Sequence, residues 1–153
     1  GPPSSCVSGT HWTRGNSGSA LMNPGQACIA CHTSRREGPQ ILGGTAYYQD
    51  HEENNCNGFR GNGTTTTGGA FVEATDAAGY TFRMAINTAG NFYYNSRTTL
   101  RFPLHAVTVV GPTGMRNAMD GDVPHGDCNA CHTQKGDAVA GSASAPGRIV
   151  LPL

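Results

Sequence analysis

The five-residue pattern Cys-x-x-Cys-His occurs twice in this chain, as Cys28-Ile29-Ala30-Cys31-His32 and as Cys128-Asn129-Ala130-Cys131-His132. Two residues between the thiols let both sulfurs reach the two vinyl groups on one edge of a porphyrin. The histidine that follows is then delivered beneath the ring, where its imidazole ligates the iron. Cysteine and histidine each supply 6 residues, so one chance match is expected in roughly 1% of such sequences, and two are rarer by a further factor of order 100. The alternatives are a Cys₄ zinc site or two disulfide-prone pairs. A zinc site drawing on both pairs would close over about 96 intervening residues and leave both histidines as coincidences. The expectation is two covalently bound haem c groups, attached at Cys28, Cys31, Cys128 and Cys131, with His32 and His132 as proximal iron ligands.

Cys6 and Cys56 belong to neither motif. Haem attachment takes place after export, in an oxidising compartment where leftover thiols pair. A Cys6–Cys56 disulfide is the expected assignment, with two free buried thiols or an intermolecular bridge as alternatives.

The 153 residues suit a single domain with a modest core. Basic and acidic residues balance at 10 each, and charged residues make up 13% of the chain, against roughly 25% in an average soluble protein. That excludes nucleic acid as an expected partner, because phosphate binding needs a basic excess. It also leaves little repulsion between neighbouring copies. The 22 glycines and 9 prolines imply many turns and short elements. No run approaches the roughly 20 apolar residues of a membrane span, so no transmembrane segment is expected. The chain opens Gly1-Pro2-Pro3 without an initiator Met, which reads as an exported chain whose leader has been removed, or as a cloning remnant.

Three stretches divide the chain. Residues 1–67 carry a polar beginning, the first motif, a strand within Gln40–Tyr48 and a polar loop over His51–Thr67. That loop includes the sequon Asn62-Gly63-Thr64 and the threonines Thr64–Thr67. Residues 68–120 change to strand patterning. Ala70–Thr75 precedes a turn at Asp76–Gly79, and Tyr80–Asn87 alternates with Phe82, Met84 and Ile86 on one face. A turn at Asn87–Gly90, a strand at Asn91–Tyr94, a strand over Leu100–Val110 and a hairpin turn at Gly111–Gly114 before Met115–Met119 complete the stretch. Residues 121–153 hold the second motif, a Gly/Ala/Ser-rich tail and an apolar end, Arg148–Leu153, able to dock on its own sheet or on a neighbour's edge. The predicted fold is mainly β, a small antiparallel β-sandwich flanked by two irregular haem-binding segments.

Each iron takes a second axial ligand unless it is an open catalytic site. His51, in the polar loop beside Cys56, is the first candidate, with a solvated loop histidine as the alternative. The proposed disulfide would bring His11 toward the same region, or let the tail reach a neighbouring subunit. His105 lies on a predicted strand, where an ordinary sheet histidine is nearly as good a reading. His125 stands three residues before Cys128 and would serve only the other iron. Met84 reads as core, while Met22, Met115 and Met119 remain thioether candidates. Four spare histidines for two irons favour bis-histidine ligation and low potentials.

The run Met22-Asn-Pro-Gly25-x-x-Cys28-Ile-Ala-Cys31-His32, with His51 ahead of Cys56-Asn-Gly58, resembles secreted dihaem cytochromes of metal-reducing and related bacteria. Val72-x-x-Thr75-Asp-Ala-Ala-Gly79 with Thr88-Ala-Gly-Asn-Phe-Tyr93 is similar to the carboxypeptidase-regulatory-like β-sandwich module. Gly126-Asp-Cys-Asn-Ala-Cys-His-Thr133 with Ala145-Pro-Gly-Arg-Ile149 resembles the family's closing segment. His11 and His105 lie outside that pattern. The resemblance implies electron transfer outside the cytoplasmic membrane, at the cell surface or beyond, with the periplasm as the alternative. Extracellular multihaem cytochromes similar in kind polymerise into conductive filaments.

Three function classes follow. The first is an electron carrier, not an enzyme, exchanging electrons with redox partner proteins or an extracellular acceptor. Its sharper form is a subunit of a homo-polymeric haem filament, motivated by zero net charge, the apolar C-terminal run and surplus histidine. The second is a dihaem peroxidase-like enzyme, which needs a five-coordinate iron and a distal acid–base group; only Glu52 and Glu53 beside His51 offer one. The third treats the sandwich as a glycan- or partner-binding module using Tyr47, Tyr48, Tyr93 and Tyr94.

Overall fold

Asp76 shows how the turns of this chain are made. Its Oδ1 accepts the backbone N–H groups of Ala78 and Tyr80, at 3.0 and 2.9 Å, and Gly79 supplies the positive φ of +88° that reverses the chain. The turn joins β2 (Phe71–Thr75) to β3 (Thr81–Ala85) in an antiparallel pair running from Phe71↔Ala85 to Thr75↔Thr81. The computed structural model to which these elements belong describes residues 6, 8–35, 38, 41–47, 53–58, 69–119, 121–132 and 147–152.

On its other side β2 pairs with β5 (His105–Val110), which continues through a turn at Gly114 into β6 (Arg116–Ala118). The four strands form an antiparallel sheet in the order β3-β2-β5-β6. Between Glu73↔Thr108 and Thr75↔His105 the strand β5 carries one extra residue, and Ala106 beside it has a φ of +51°. The expected strand over Leu100–Val110 is therefore shorter. Leu100–Leu104 is irregular, with a cis peptide at Phe102–Pro103, and pairing begins at His105. Alternation on β3 follows the sequence pattern, with Phe82, Met84 and then Ile86 all buried.

A second sheet has the order β4-β1-β7, built from β1 (Gly43–Tyr47), β4 (Asn91–Tyr93) and β7 (Ile149–Val150). β1 and β4 are antiparallel, but β1 and β7 are parallel, so this sheet is mixed. The β-scaffold thus extends beyond residues 68–120 at both ends. The apolar C-terminal run docks on its own sheet through Ala46↔Ile149 and Tyr47↔Val150, and Leu151 donates its N–H to the Tyr47 carbonyl at 2.7 Å.

The two sheets share one hydrophobic core. Leu42, Ala46, Phe92 and Leu151 from the β1 side meet Val72, Phe82, Met84 and Val109 from the other. All five residues of β1 are buried, so this strand is covered on both faces. A purely solvated face would have exposed every second residue.

The motif segments are short helices, where irregular backbone was expected. Residues Cys28–Arg35 form α1 and Cys128–Cys131 form the single turn α2, closed by the His132 N–H on the Cys128 carbonyl at 2.9 Å. Helical spacing explains the correction. Positions i, i+3 and i+4 share a face, so Cys28, Cys31 and His32 present two sulfurs and an imidazole on one side of α1.

Candidate functional site

Both motif helices pack against β1. Asp127, immediately before Cys128, lies in a parallel bridge with Gly43, whose N–H donates to the Gly126 carbonyl at 2.9 Å. The Asp127 carboxylate then reaches across to the other motif, where its Oδ2 accepts the Ala30 N–H at 3.0 Å. Ala30 is the third residue of α1, and its N–H is one of the amides a helix cannot satisfy internally. The first motif helix is therefore capped by a side chain 97 residues away, from the second motif. The other carboxylate oxygen, Oδ1, is buried without a hydrogen-bond partner.

Asn129, the first residue between the cysteines of the second motif, makes a similar link. It is 2% exposed. Its Oδ1 accepts the Thr45 N–H at 2.9 Å, and its Nδ2 donates to the Gln26 carbonyl at 2.8 Å and to Thr45 Oγ1 at 3.0 Å. The approach to the first motif, strand β1 and the second motif thus meet in one buried polar network.

His132 is oriented from behind. Its Nδ1 lies 2.9 Å from the Gly147 carbonyl oxygen, which makes Nδ1 the protonated nitrogen, and its Nε2 is buried without a hydrogen-bond partner. Burial lowers the pKa of this imidazole below the ordinary histidine value, although the Gly147 hydrogen bond opposes the shift. A neutral ring held at Nδ1, with an unshared pair on a dry Nε2, is the state in which histidine binds a metal. The buried Arg148 guanidinium donates to the carbonyls of Gly25 and His132 and to Asn54 Oδ1.

Cys28 and Cys31 are free thiols. Burial first, and Asp127 second, push the Cys28 thiol up to about 11, so it is protonated at neutral pH. Cys28 and Cys128 lie against successive residues of β1, with Gly43 toward Cys28 and Gly44 toward Cys128. Successive strand residues face opposite sides, so the strand stands between the two thiols, and they do not converge as a zinc site would require. Among the described residues no three His, Cys, Asp or Glu side chains form a bare-ion cluster. The donor set suits a group that brings its own equatorial ligands: thiols on one helix face and, at the second motif, a histidine with an oriented, unpartnered Nε2.

The expected disulfide is present, with Cys6 and Cys56 at an S–S distance of 2.00 Å and packed against Tyr47. His11 pairs with Cys56 through a backbone bridge and lines a cavity of about 270 Å³ with Trp12 and Asn57. His105 lies on β5, in the other sheet from the motif helices, and its Nδ1 is 2.6 Å from Asp122 Oδ1. His51 lies outside the described residues. His125 is exposed, accepts the Asp127 N–H at Nδ1 (3.3 Å), and lines an open groove of about 690 Å³ with Ile29, Ala30 and Thr33 of α1. Among the described residues it is the histidine outside the motifs that shares this groove with α1, a proximity that has no signature in local spacing. Tyr47 and Tyr94 are 0% and 7% exposed, which removes two of the four aromatics from any sugar-stacking surface; Tyr48 lies outside the described residues.

No protein-family model, curated protein or solved structure matches this chain. The resemblance to secreted dihaem cytochromes rests on the motif residues themselves.

Proposed function

We propose that the chain transfers electrons outside the cytoplasmic membrane through two covalently attached haems. The observation that carries this reading is the His132 imidazole, held at Nδ1 by the Gly147 carbonyl, with its buried Nε2 unpartnered and Cys128 one helical turn away. A bound haem supplies a one-electron iron couple. The chain would hold it through the thiols of Cys28, Cys31, Cys128 and Cys131 and the imidazoles of His32 and His132, with the buried strand β1 beside both motifs.

The test is mass spectrometry and spectroscopy of the chain expressed with a c-type haem attachment system. Two haem masses and two low-spin signals are expected. Unmodified chain would overturn the reading, and a high-spin iron would favour the peroxidase-type alternative.

Assembly into a filament is the finer form of the proposal. The C-terminal run is already paired with β1 of its own chain, so a polymer interface would use other surfaces. Among the described residues, the wholly exposed edge strand β6, flanked by the exposed Met115 and Met119, offers one such surface. Negative-stain microscopy of native material decides: filaments support it, and monodisperse particles with every ligand supplied within one chain sink it.

A further inference from the structure

Gly43 and Gly44 are consecutive residues of a strand buried on both faces, and each lies against a motif cysteine. A Cβ at Gly43 would stand 3.3 Å from Cys28 Sγ, and a Cβ at Gly44 would stand 2.8 Å from Cys128 Cβ and 2.7 Å from Phe92 Cζ. Consecutive residues project to opposite faces. Their neighbours follow the same parity. Leu42, Ala46 and Phe92, the cross-strand partner of Gly44, belong to the shared core against which Cys128 packs, while Thr45 and Tyr47, on the Gly43 side, do not. The two attachment sites therefore straddle one strand at its two side-chain-free positions. Because consecutive Cα atoms are ~3.8 Å apart, Cys28 Sγ and Cys128 Cβ are separated by no more than about 13 Å.

We propose that the Gly43–Gly44 pair is the spacer that sets the separation, and so the electronic coupling, of the two redox groups. The proposal rests on the dihaem reading above. A side chain at Gly44 would enter the space of Cys128 and Phe92 and push the second attachment site outward. A side chain at Gly43 would crowd Cys28 less severely. Nothing else in strand β1 is placed to do this, since Thr45, Ala46 and Tyr47 carry side chains committed to hydrogen bonds or core.

The experiment uses the haem-loaded chain and three variants, Gly43→Ala, Gly44→Ala and Gly44→Ala/Phe92→Leu, the last relieving the ring contact so that folding is retained. Mass spectrometry first counts the attached groups, and a count below two in the unaltered chain would defeat the dihaem reading, not the spacer. With two groups present, the expected result is a magnetic interaction between the two oxidised irons in low-temperature EPR, together with potentials that depend on each other's redox state. Gly43→Ala is expected to perturb the signal of the Cys28 group and Gly44→Ala that of the Cys128 group, with loss of the mutual interaction in the Gly44 variants. A dihaem protein whose two signals do not interact, or whose interaction is the same in all three variants, would overturn the proposal.

Discussion

His132 divides its two nitrogens between two tasks: Nδ1 lies 2.9 Å from the Gly147 carbonyl oxygen, and Nε2 is buried with no partner of its own. In the haem-loaded chain, His132→Ala is expected to leave both covalent attachments in place, because the thiols of the second motif remain. One of the two low-spin signals should be lost. Visible and EPR spectra check this, and two unchanged low-spin signals would show that His132 binds no iron.

The Asp127–Ala30 link yields a stability prediction. Asp127→Ala leaves the Ala30 N–H in the first turn of α1 without its acceptor at 3.0 Å, and losing a side-chain cap of this kind costs about 1 kcal/mol. Asp127→Asn keeps an oxygen acceptor and should fall between the alanine variant and the parent. Urea unfolding measures the series. An alanine variant as stable as the parent would mean that α1 does not depend on this cap.

Much of the scaffold was legible in local pattern. Phe82, Met84 and Ile86 alternate, the Asp76–Gly79 turn has its acceptor and its positive-φ glycine, and the structure places both where the sequence suggests. What escaped was non-local. The strand within Gln40–Tyr48 and the docking of the C-terminal run were legible, but not that both faces of β1 are covered or that β7 joins it in parallel. The Asp127 cap of α1 spans 97 residues, and no window of sequence contains both ends. The helical state of the motif segments was open to the sequence through the i, i+3, i+4 spacing of Cys28, Cys31 and His32, yet glycine- and turn-rich surroundings argued for irregular backbone.

Asp76 predicts an acid limb in the stability profile. Its carboxylate is 2% exposed and accepts the backbone N–H groups of Arg101, Tyr80 and Ala78, which hold its pKa below the usual carboxylate value against the opposing effect of burial. The folded state thus binds the ionised form better than the unfolded state does. This contribution is complete above the unfolded carboxylate value near ~4, and is lost as pH falls through the lowered folded value. Asp76→Asn is expected to destabilise at neutral pH and to flatten the dependence below about pH 4. Thermal midpoints of parent and variant across that range decide, and parallel curves would assign the acid sensitivity elsewhere.

The Cys6–Cys56 bridge predicts a larger loss. It closes a separation of 50 residues, for which the chain-entropy account gives about 4 kcal/mol of stabilisation. Two features bear on how much of that is realised. Both sulfurs are buried against Tyr47, so the bridge also fills core beside β1. The segment it holds supplies Asn54 Oδ1 to Arg148, at 2.6 Å, and the Asn55 N–H to the Pro24 carbonyl, at 2.7 Å, so its release would loosen the surroundings of the second motif. Cys6→Ser/Cys56→Ser is therefore expected to lose about 4 kcal/mol in denaturant unfolding. It should still take up two haems, because neither sulfur belongs to an attachment motif. A double variant as stable as the parent would show that hydrogen bonding alone holds the N-terminal segment, and one that accepts a single haem would show that the bridge is needed to build a site as well as to keep it.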